Sequence, residues 1–416
     1  MRIAIVSAVF PPEPVVSAQT SAQIANELVR HGHDVTVITD FPNRPAGRLQ
    51  AGYRRQLFRR ESTTDGYELV RCFTTLAPES RMTKRLVENL SYGLTSGWAV
   101  LTTRRPDVIY ANSWPIVATG ILASIARLRR IPLIISVQDA YPESIVAQRR
   151  SGPDGILVRC MRYVDKQIAR TCHAVIVVAD SFVPMYLKER GLSPERVHMI
   201  PNWVDSAVVT PDADGATSFR ARLGIPATAS VALYGGNIGI AAGVETVVES
   251  FRGLLDVPDL YLVIAGEGSQ LGTCRELAQQ LNHPRIVFHT PWPNTETSVV
   301  LSAADVLILP TRGQQSLASI PSKLITYMLA ARPIIALALP GSDLAATIER
   351  SRCGWWLEPD QPTQLAECIK AVTSLSLDER RGYGESGREY ALQNLSRAIC
   401  LPRIVNLIEG AASARE

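Results

Sequence analysis

SVALYGGNIGIAAGVETVVESF, Ser230 to Phe251, decides the fold. An apolar run with β-branched residues ends at Gly235 and Gly236, continues through Gly239 and Gly243, and becomes a segment of helical length. A buried strand that passes through a glycine loop into a helix is the first step of a parallel α/β unit. Such a loop lets backbone N–H groups and a helix start approach a phosphate closely. Glycines also serve tight strand-to-helix turns, so the cluster alone leaves both readings open.

The next strand ends in IAGEGSQL, which places Gly266, Glu267 and Gly268 at the same rim. Glu267 is suited either to accept hydrogen bonds from ribose hydroxyls or to cap the following helix. RIVFHT, ADVLILP and RPIIALALP continue the alternation downstream, and RIAIVSAV, DVTVIT, PDVIYA, PLIISV and HAVIVVA show it upstream. Apolar strands separated by helical segments predict parallel sheets covered on both faces. The pattern lapses into Pro, Asp, Gly and Ser around VHMIPNWVDSAVVTPDADGATS, which predicts a linker near 203–228. The expected architecture is therefore α/β, with two doubly wound Rossmann-like domains facing across a cleft, 1–203 and 204–394.

A chain of 416 residues exceeds what one hydrophobic core usually serves, in keeping with two domains. Hydrophobic residues at 46% and charged residues at 20% exclude a disordered chain. The seven cysteines are scattered, which fits neither a disulfide framework nor a zinc site and suggests a reducing cytoplasm. The opening MRIAIVSAVFPP reads as a first buried strand and not as a signal peptide. No run reaches the roughly 18 apolar residues of a spanning helix. A net charge of +4 gives no reason to expect nucleic acid. The charge is uneven, however: six arginines and no acid lie between Phe41 and Arg60, either a solvated loop or a contact with an anionic surface.

Ligands of open parallel sheets bind beyond the carboxyl ends of the strands. After the first strand, three prolines stiffen a turn that holds Glu13 at the expected cleft, and Ser17 or Thr20 is suited to cap the helix that follows. HGH at 31–33 reads as a helix stop, with Gly32 at the C′ position and His33 in a structural role. After PLIISV, Asp139 is either a ligand for something in the cleft or an N-cap. SLASIPSKLITYMLAARPII, Ser316 to Ile335, sets hydroxyls and Lys323 in an otherwise apolar passage. Ser319 or Ser322 is expected to cap a helix there, with Pro321 in its first turn and Leu324, Met328 and Leu329 facing the core.

FPPE with HGHDVTVIT, DAYPES, ADSF, IPNWVD, LYGGNIG, IAGEG, ADVLILP and IPSKLITYM, in this order across nearly the whole chain, resemble glycosyltransferase family 4 with the GT-B fold. The DxxPES and PSK motifs resemble the subset of bacterial sugar transferases of exopolysaccharide and O-antigen assembly. The resemblance implies a retaining transfer from a nucleotide-diphosphate sugar to an acceptor hydroxyl, with no metal or other cofactor. The donor would lie on the second domain and the acceptor on the first, and the end of the chain, about 395–416, would pack back on the first. Implied catalytic residues are Asp139 and Lys323. Implied substrate-binding residues are Glu13, Gly235, Gly236, Asn237, Gly239, Gly266, Glu267, Arg312, Pro321, Ser322, Leu324 and Thr326. Two glutamates usual in the family are here Ala318 and Thr326, and a usual arginine and lysine are Asn237 and approximately Ala242. A histidine often found after the acidic strand end is Gln138, and a glycine pair of the first loop is Val15 and Val16. If a diphosphate binds, a replacement cation is needed, with Lys323 best placed and Arg312 second.

The expected partners are a nucleotide-sugar donor and a glycan or lipid-linked sugar acceptor, in a cytoplasmic protein that contacts the inner membrane face peripherally. Met82, Leu86, Leu90 and Leu94 follow helical spacing beside Arg81, Lys84 and Arg85, so this helix either faces the core or lies in a membrane interface. A sugar-nucleotide epimerase, a transferase to a secondary-metabolite aglycone and a non-catalytic sugar-nucleotide-binding scaffold remain as alternatives.

Overall fold

A computed structural model describes residues 1–44, 47–76, 82–139, 155–312 and 320–413. It divides into two compact units, Met1–Pro201 with Cys400–Glu416, and Asn202–Ile399.

The first unit holds β1 (Arg2–Ser7), β2 (Asp34–Asp40), β3 (Phe58–Ser62), β4 (Glu68–Cys72), β5 (Val108–Asn112), β6 (Leu133–Val137), β7 (Ala174–Val177) and β8 (Val197–Met199). Their order is β3-β4-β2-β1-β5-β6-β7-β8, and only the β3–β4 pair is antiparallel. That pair revises the reading of Phe41 to Arg60. Its end is a charged edge strand, where Arg59 meets Glu61 at 3.0 Å and Arg60 meets Glu68 at 2.9 Å. Charges on an edge discourage further strand addition. The helix Val16–Arg30 buries Ile24, Ala25 and Leu28. Neither Ser17 nor Thr20 caps it, because the chain enters the helix earlier, with Val15 at the N-cap. It stops at His31, with Gly32 at φ 81°, the left-handed conformation a helix terminus favours in glycine.

The second unit holds β9 (Ser230–Gly235), β10 (Leu260–Ala265), β11 (Ile286–His289), β12 (Val306–Leu309), β13 (Ile334–Leu337) and β14 (Gly354–Leu357). All pairs are parallel in the order β11-β10-β9-β12-β13-β14. Counted from β9 this is 3-2-1-4-5-6, the doubly wound order of dinucleotide-binding sheets. Alternate strand residues feed two cores. Val231, Leu233, Val263, Leu307 and Ile334 point to one face, and Ala232, Tyr234, Leu262, Ile308 and Ile335 to the other. Burial on both faces is why these strands are continuously apolar.

The passage 203–228, expected as a linker, contains the helix Ala213–Arg222, which belongs to the second unit. Asp212 caps it by accepting from the Gly215 N–H at 2.8 Å, and Phe219 is buried beneath it. The same polar residues that suggested a linker are cap and turn chemistry. The last helix, Arg397–Ser413, passes from the second unit into the first at Ile399–Cys400, and Arg403 donates to the Met199 carbonyl at 2.7 Å.

Candidate functional site

In the second unit the strand order reverses between β9 and β12, so the carboxyl ends of these two strands are where a doubly wound sheet presents a ligand site. Three segments meet there: the loop after β9, the loop after β10, and the helix Ser322–Leu329 that follows β12.

The two glycine loops interlock through their backbones. A Cβ on Gly266, at φ 131°, would lie 2.0 Å from the Gly236 carbonyl oxygen, and one on Gly268, at φ 156°, would lie 2.3 Å from that of Ile238. Hydrogen bonds fasten the same contact: the Ile238 N–H donates to Glu267 O at 2.7 Å and the Gln270 N–H to Ile238 O at 2.9 Å. On the other side, the Arg312 N–H donates to Ala241 O at 3.1 Å. Gly266 and Gly268 are therefore required by close packing of loop on loop, beside the phosphate-approach and tight-turn readings that the sequence left open for the glycines.

Two buried tyrosines that sequence reasoning missed fix the end of β9. Tyr327 accepts from the Gly235 N–H at 2.8 Å and donates to the Gly235 carbonyl at 2.9 Å. Tyr234 donates to the Asn237 carbonyl at 2.6 Å. The signal was present only as two tyrosines in apolar passages, since a buried phenol requires a hydrogen-bond partner.

Lys323 completes the arrangement. Its Nζ donates to the Tyr234 hydroxyl at 2.5 Å and to the Asn237 carbonyl at 3.3 Å, and sits 4.7 Å from the Tyr234 ring centroid. The stem passes over Gly236, where a Cβ would lie 2.3 Å from Lys323 Cε. Among the described residues no carboxylate pairs with it. Burial without a counter-charge lowers its pKa from the ordinary 10.5 to about 8. An under-compensated cation at the switch point of a doubly wound sheet is a candidate partner for an anion.

The remaining expected residues fall into two groups. Asn237 and Glu267 are exposed at the rim, and the Glu267 carboxylate has no partner among the described residues. Gly239 is half-buried, and Arg312 is exposed with its guanidinium 3.9 Å from Glu245. Leu324 is corrected: its side chain is fully buried in the core and its N–H is taken by Pro321 O at 2.9 Å. Ser322 is corrected as a cap, since Pro321 occupies the N-cap and Ser322 is the first helical residue, exposed at the rim. The Thr326 hydroxyl donates back to Ser322 O at 3.2 Å, within the helix. Ala318 and Ser319 lie outside the described residues.

In the first unit the switch point falls between β1 and β5. Asn112 donates there to the hydroxyls of Ser7 at 2.8 Å and Ser21 at 3.2 Å, a buried polar group the sequence reading did not find. Glu13 is corrected as a substrate contact. It is 1% exposed, and its carboxylate accepts the N–H groups of Phe10, Asn43 and Arg44, so it clamps the proline turn to the loop after β2. Beside it, burial and the neighbouring carboxylates of Glu13 and Glu88 push the Asp40 pKa well up. Asp139 lies two residues beyond β6, exposed over the whole residue, yet partial burial of its carboxyl raises its pKa. Its reading as a cap concerns 140–154, outside the described residues.

Two doubly wound units in one chain, one with a desolvated lysine at its switch point, have the architecture in which α/β proteins hold ligands beyond the strand ends. Residues 17–203 match the family model described as a glycosyl transferase 4-like domain, and residues 216–390 match that of glycosyl transferases group 1. The chain belongs to the GT-B glycosyltransferases of the family 4 type. It is 24% identical to WcaI of Escherichia coli, a glycosyl transferase whose name assigns it to colanic acid biosynthesis, over 99% of this chain and 100% of that one. Sucrose-phosphate synthase from Thermosynechococcus elongatus has the same fold, with a TM-score of 0.72, 19% identity and full coverage of both chains. HepE from Anabaena in complex with UDP superposes with a TM-score of 0.70 at 14% identity, covering 99% of this chain and 100% of that one.

Proposed function

We propose that this glycosyltransferase moves a sugar, with retention, from a nucleotide-diphosphate sugar to a hydroxyl of a glycan or lipid-linked acceptor in bacterial surface polysaccharide assembly. The observation that carries the donor assignment is Lys323, a desolvated cation without a counter-charge at the β9/β12 switch point. Support comes from the UDP in HepE and from the full-length likeness to WcaI.

The difficult step is departure of the nucleoside diphosphate, which gains negative charge as the anomeric bond breaks. Lys323 neutralises that charge, with Arg312 as a second, more exposed cation, and the rim of the glycine loops carries Glu267 towards the ribose hydroxyls. Retention follows from attack on the same face, the acceptor's proton passing to the departing phosphate. No protein nucleophile and no metal enter this scheme, and Asp139 serves the acceptor side. Incubation with UDP-, GDP- and dTDP-sugars plus an extract of lipid-linked acceptors is expected to release one nucleoside diphosphate only when acceptor is present. An epimerised sugar nucleotide formed without acceptor, or binding without turnover across the panel, would replace this reading.

A pH dependence follows from Lys323. Between pH about 8 and 10.5 the unfolded chain holds the proton that the folded protein has lost, so the folding cost of this group is full below about 8 and relieved above it. Donor binding has the opposite sense, because the cation is the form that meets the diphosphate. Affinity for the matching nucleoside diphosphate is expected to be level below pH 8 and to fall up to about tenfold per unit above it. A level profile through pH 9.5, measured by calorimetry, would remove Lys323 from the site.

The helix Met82–Thr102 favours an acceptor held at a membrane surface. Its Glu88, Tyr92, Ser96 and Val100 face inward, while Leu86, Leu90, Leu94, Trp98 and Leu101 stand exposed on the other side. Trp98 is 59% exposed. This overturns the core-facing reading of those leucines. Exposed Lys84 flanks the stripe at one end and Arg104 and Arg105 at the other, a charge pattern that suits an anionic lipid surface. No helix among the described residues is long and apolar enough to cross a membrane. The protein is expected to co-float with phosphatidylglycerol vesicles, and Leu90→Asp with Leu94→Asp and Trp98→Asp is expected to weaken binding by roughly tenfold or more. Equal flotation of the triple variant, or concentration-dependent self-association in place of flotation, would refute the membrane contact.

A further inference from the structure

We propose that His31, His33 and Glu409 form a divalent transition-metal site that ties the last helix to the first helix of the same unit. His31 Nδ1 and His33 Nε2 both lie 2.8 Å from Glu409 Oε1, and the three ligand atoms fall within 4.8 Å of one another. An ion bound at about 2.0–2.2 Å holds its ligand atoms roughly 3.3–3.6 Å apart. Binding would open each nitrogen–carboxylate separation by about half an ångström and draw the two imidazole nitrogens, already aimed at one oxygen, in from a separation of at most 4.8 Å.

The turn that presents them is built. The His31, Gly32 and His33 N–H groups donate to Glu27, Val29 and Leu28 carbonyls at 3.0, 2.9 and 3.1 Å, and Gly32 at φ 81° reverses the chain between the two imidazoles. On the far side of the His31 ring, Glu27 Oε1 lies 3.6 Å from Nε2. That is beyond hydrogen-bond distance, and a small closure on metal binding would let the carboxylate orient the ligating imidazole and strengthen it as a ligand. Two nitrogens and one carboxylate suit Zn²⁺, Ni²⁺ or Co²⁺ over Mg²⁺ or Ca²⁺. The helix bearing this turn leaves the carboxyl end of β1 and returns to the amino end of β2, so the site lies at the sheet edge opposite the switch point. Its role is to staple the returning helix and is separate from sugar transfer.

The test is calorimetric titration of ZnCl₂ into the untagged, EDTA-dialysed full chain carrying Cys160→Ala, which removes the exposed thiol as a competing ligand. One saturable 1:1 site, silent to MgCl₂, is expected, with a zinc-dependent rise in melting temperature. His31→Ala with His33→Ala abolishes both, Glu409→Gln weakens binding by at least tenfold, and Glu27→Gln weakens it by about tenfold or more. Circular dichroism confirms that each variant is folded, and Glu27→Gln, which removes no ligand, keeps the test independent of that control. An unchanged isotherm in the double-histidine variant, or no saturable site in the parent, overturns the proposal.

Discussion

Lys323→Met is expected to abolish the rise in melting temperature that a nucleoside diphosphate produces, and to lower kcat/KM by roughly 10²–10³-fold, without destabilising the unliganded protein. The size follows from removing one donor aimed at a developing anion, worth about 3–4 kcal/mol in such positions. The unliganded protein changes little, because relief of the desolvated ammonium, unpaired by any carboxylate among the described residues, offsets loss of its contacts with Tyr234 and Asn237. Methionine keeps the unbranched stem that passes over Gly236 and leaves only the charge missing. Thermal shift with the matching nucleotide and steady-state rates read the two effects separately. An unchanged shift would show that the diphosphate does not use this side chain.

Gly266→Ala is expected to cost the second unit about 3 kcal/mol or more. The added carbon would lie 2.0 Å from the Gly236 carbonyl oxygen and 2.9 Å from its carbon, at φ 131°. Neither side can yield. The Gly236 N–H is bonded to Ala265 O at 2.9 Å, and the preceding Gly235 is held at both backbone polar groups by Tyr327. Overpacking against backbone, together with a disfavoured φ, falls in the small class of severe substitutions. Gly272→Ala supplies the contrast, because a Cβ there meets nothing within 4 Å and the residue lies in the helix Leu271–Leu281, so a gain of about 0.5–1 kcal/mol is expected. Urea unfolding of both variants measures the difference, and equal midpoints would contradict the interlock.

The alternation of apolar runs with helical segments was enough to foresee two parallel-sheet units, because a strand buried on both faces carries its environment in its composition. It did not reveal β14, since the four residues GWWL are too short to stand out, nor the β3–β4 hairpin, whose charged edge strand lacks an apolar pattern. Within the site, Lys323 was legible because a charge in an apolar helix needs a reason. Tyr234 and Tyr327 were not, because their partners are backbone groups that only the folded chain brings near, 92 residues away for Tyr327. Glu13 misled for a related cause. A carboxylate near a strand end looks free on paper, and three N–H groups from a turn and a distant loop had already satisfied it. Leu86, Leu90 and Leu94 show the limit of periodicity, which marks an apolar face without saying whether protein or something else covers it.

Lys323 as the diphosphate's partner at the β9/β12 switch point is tested directly by a crystal structure with the nucleoside diphosphate that stabilises the protein best. A phosphate oxygen is expected about 3 Å from Lys323 Nζ, with the ribose on the Glu267 side of the glycine loops. A diphosphate bound elsewhere, with Lys323 Nζ still resting on Tyr234 and Asn237, would contradict it.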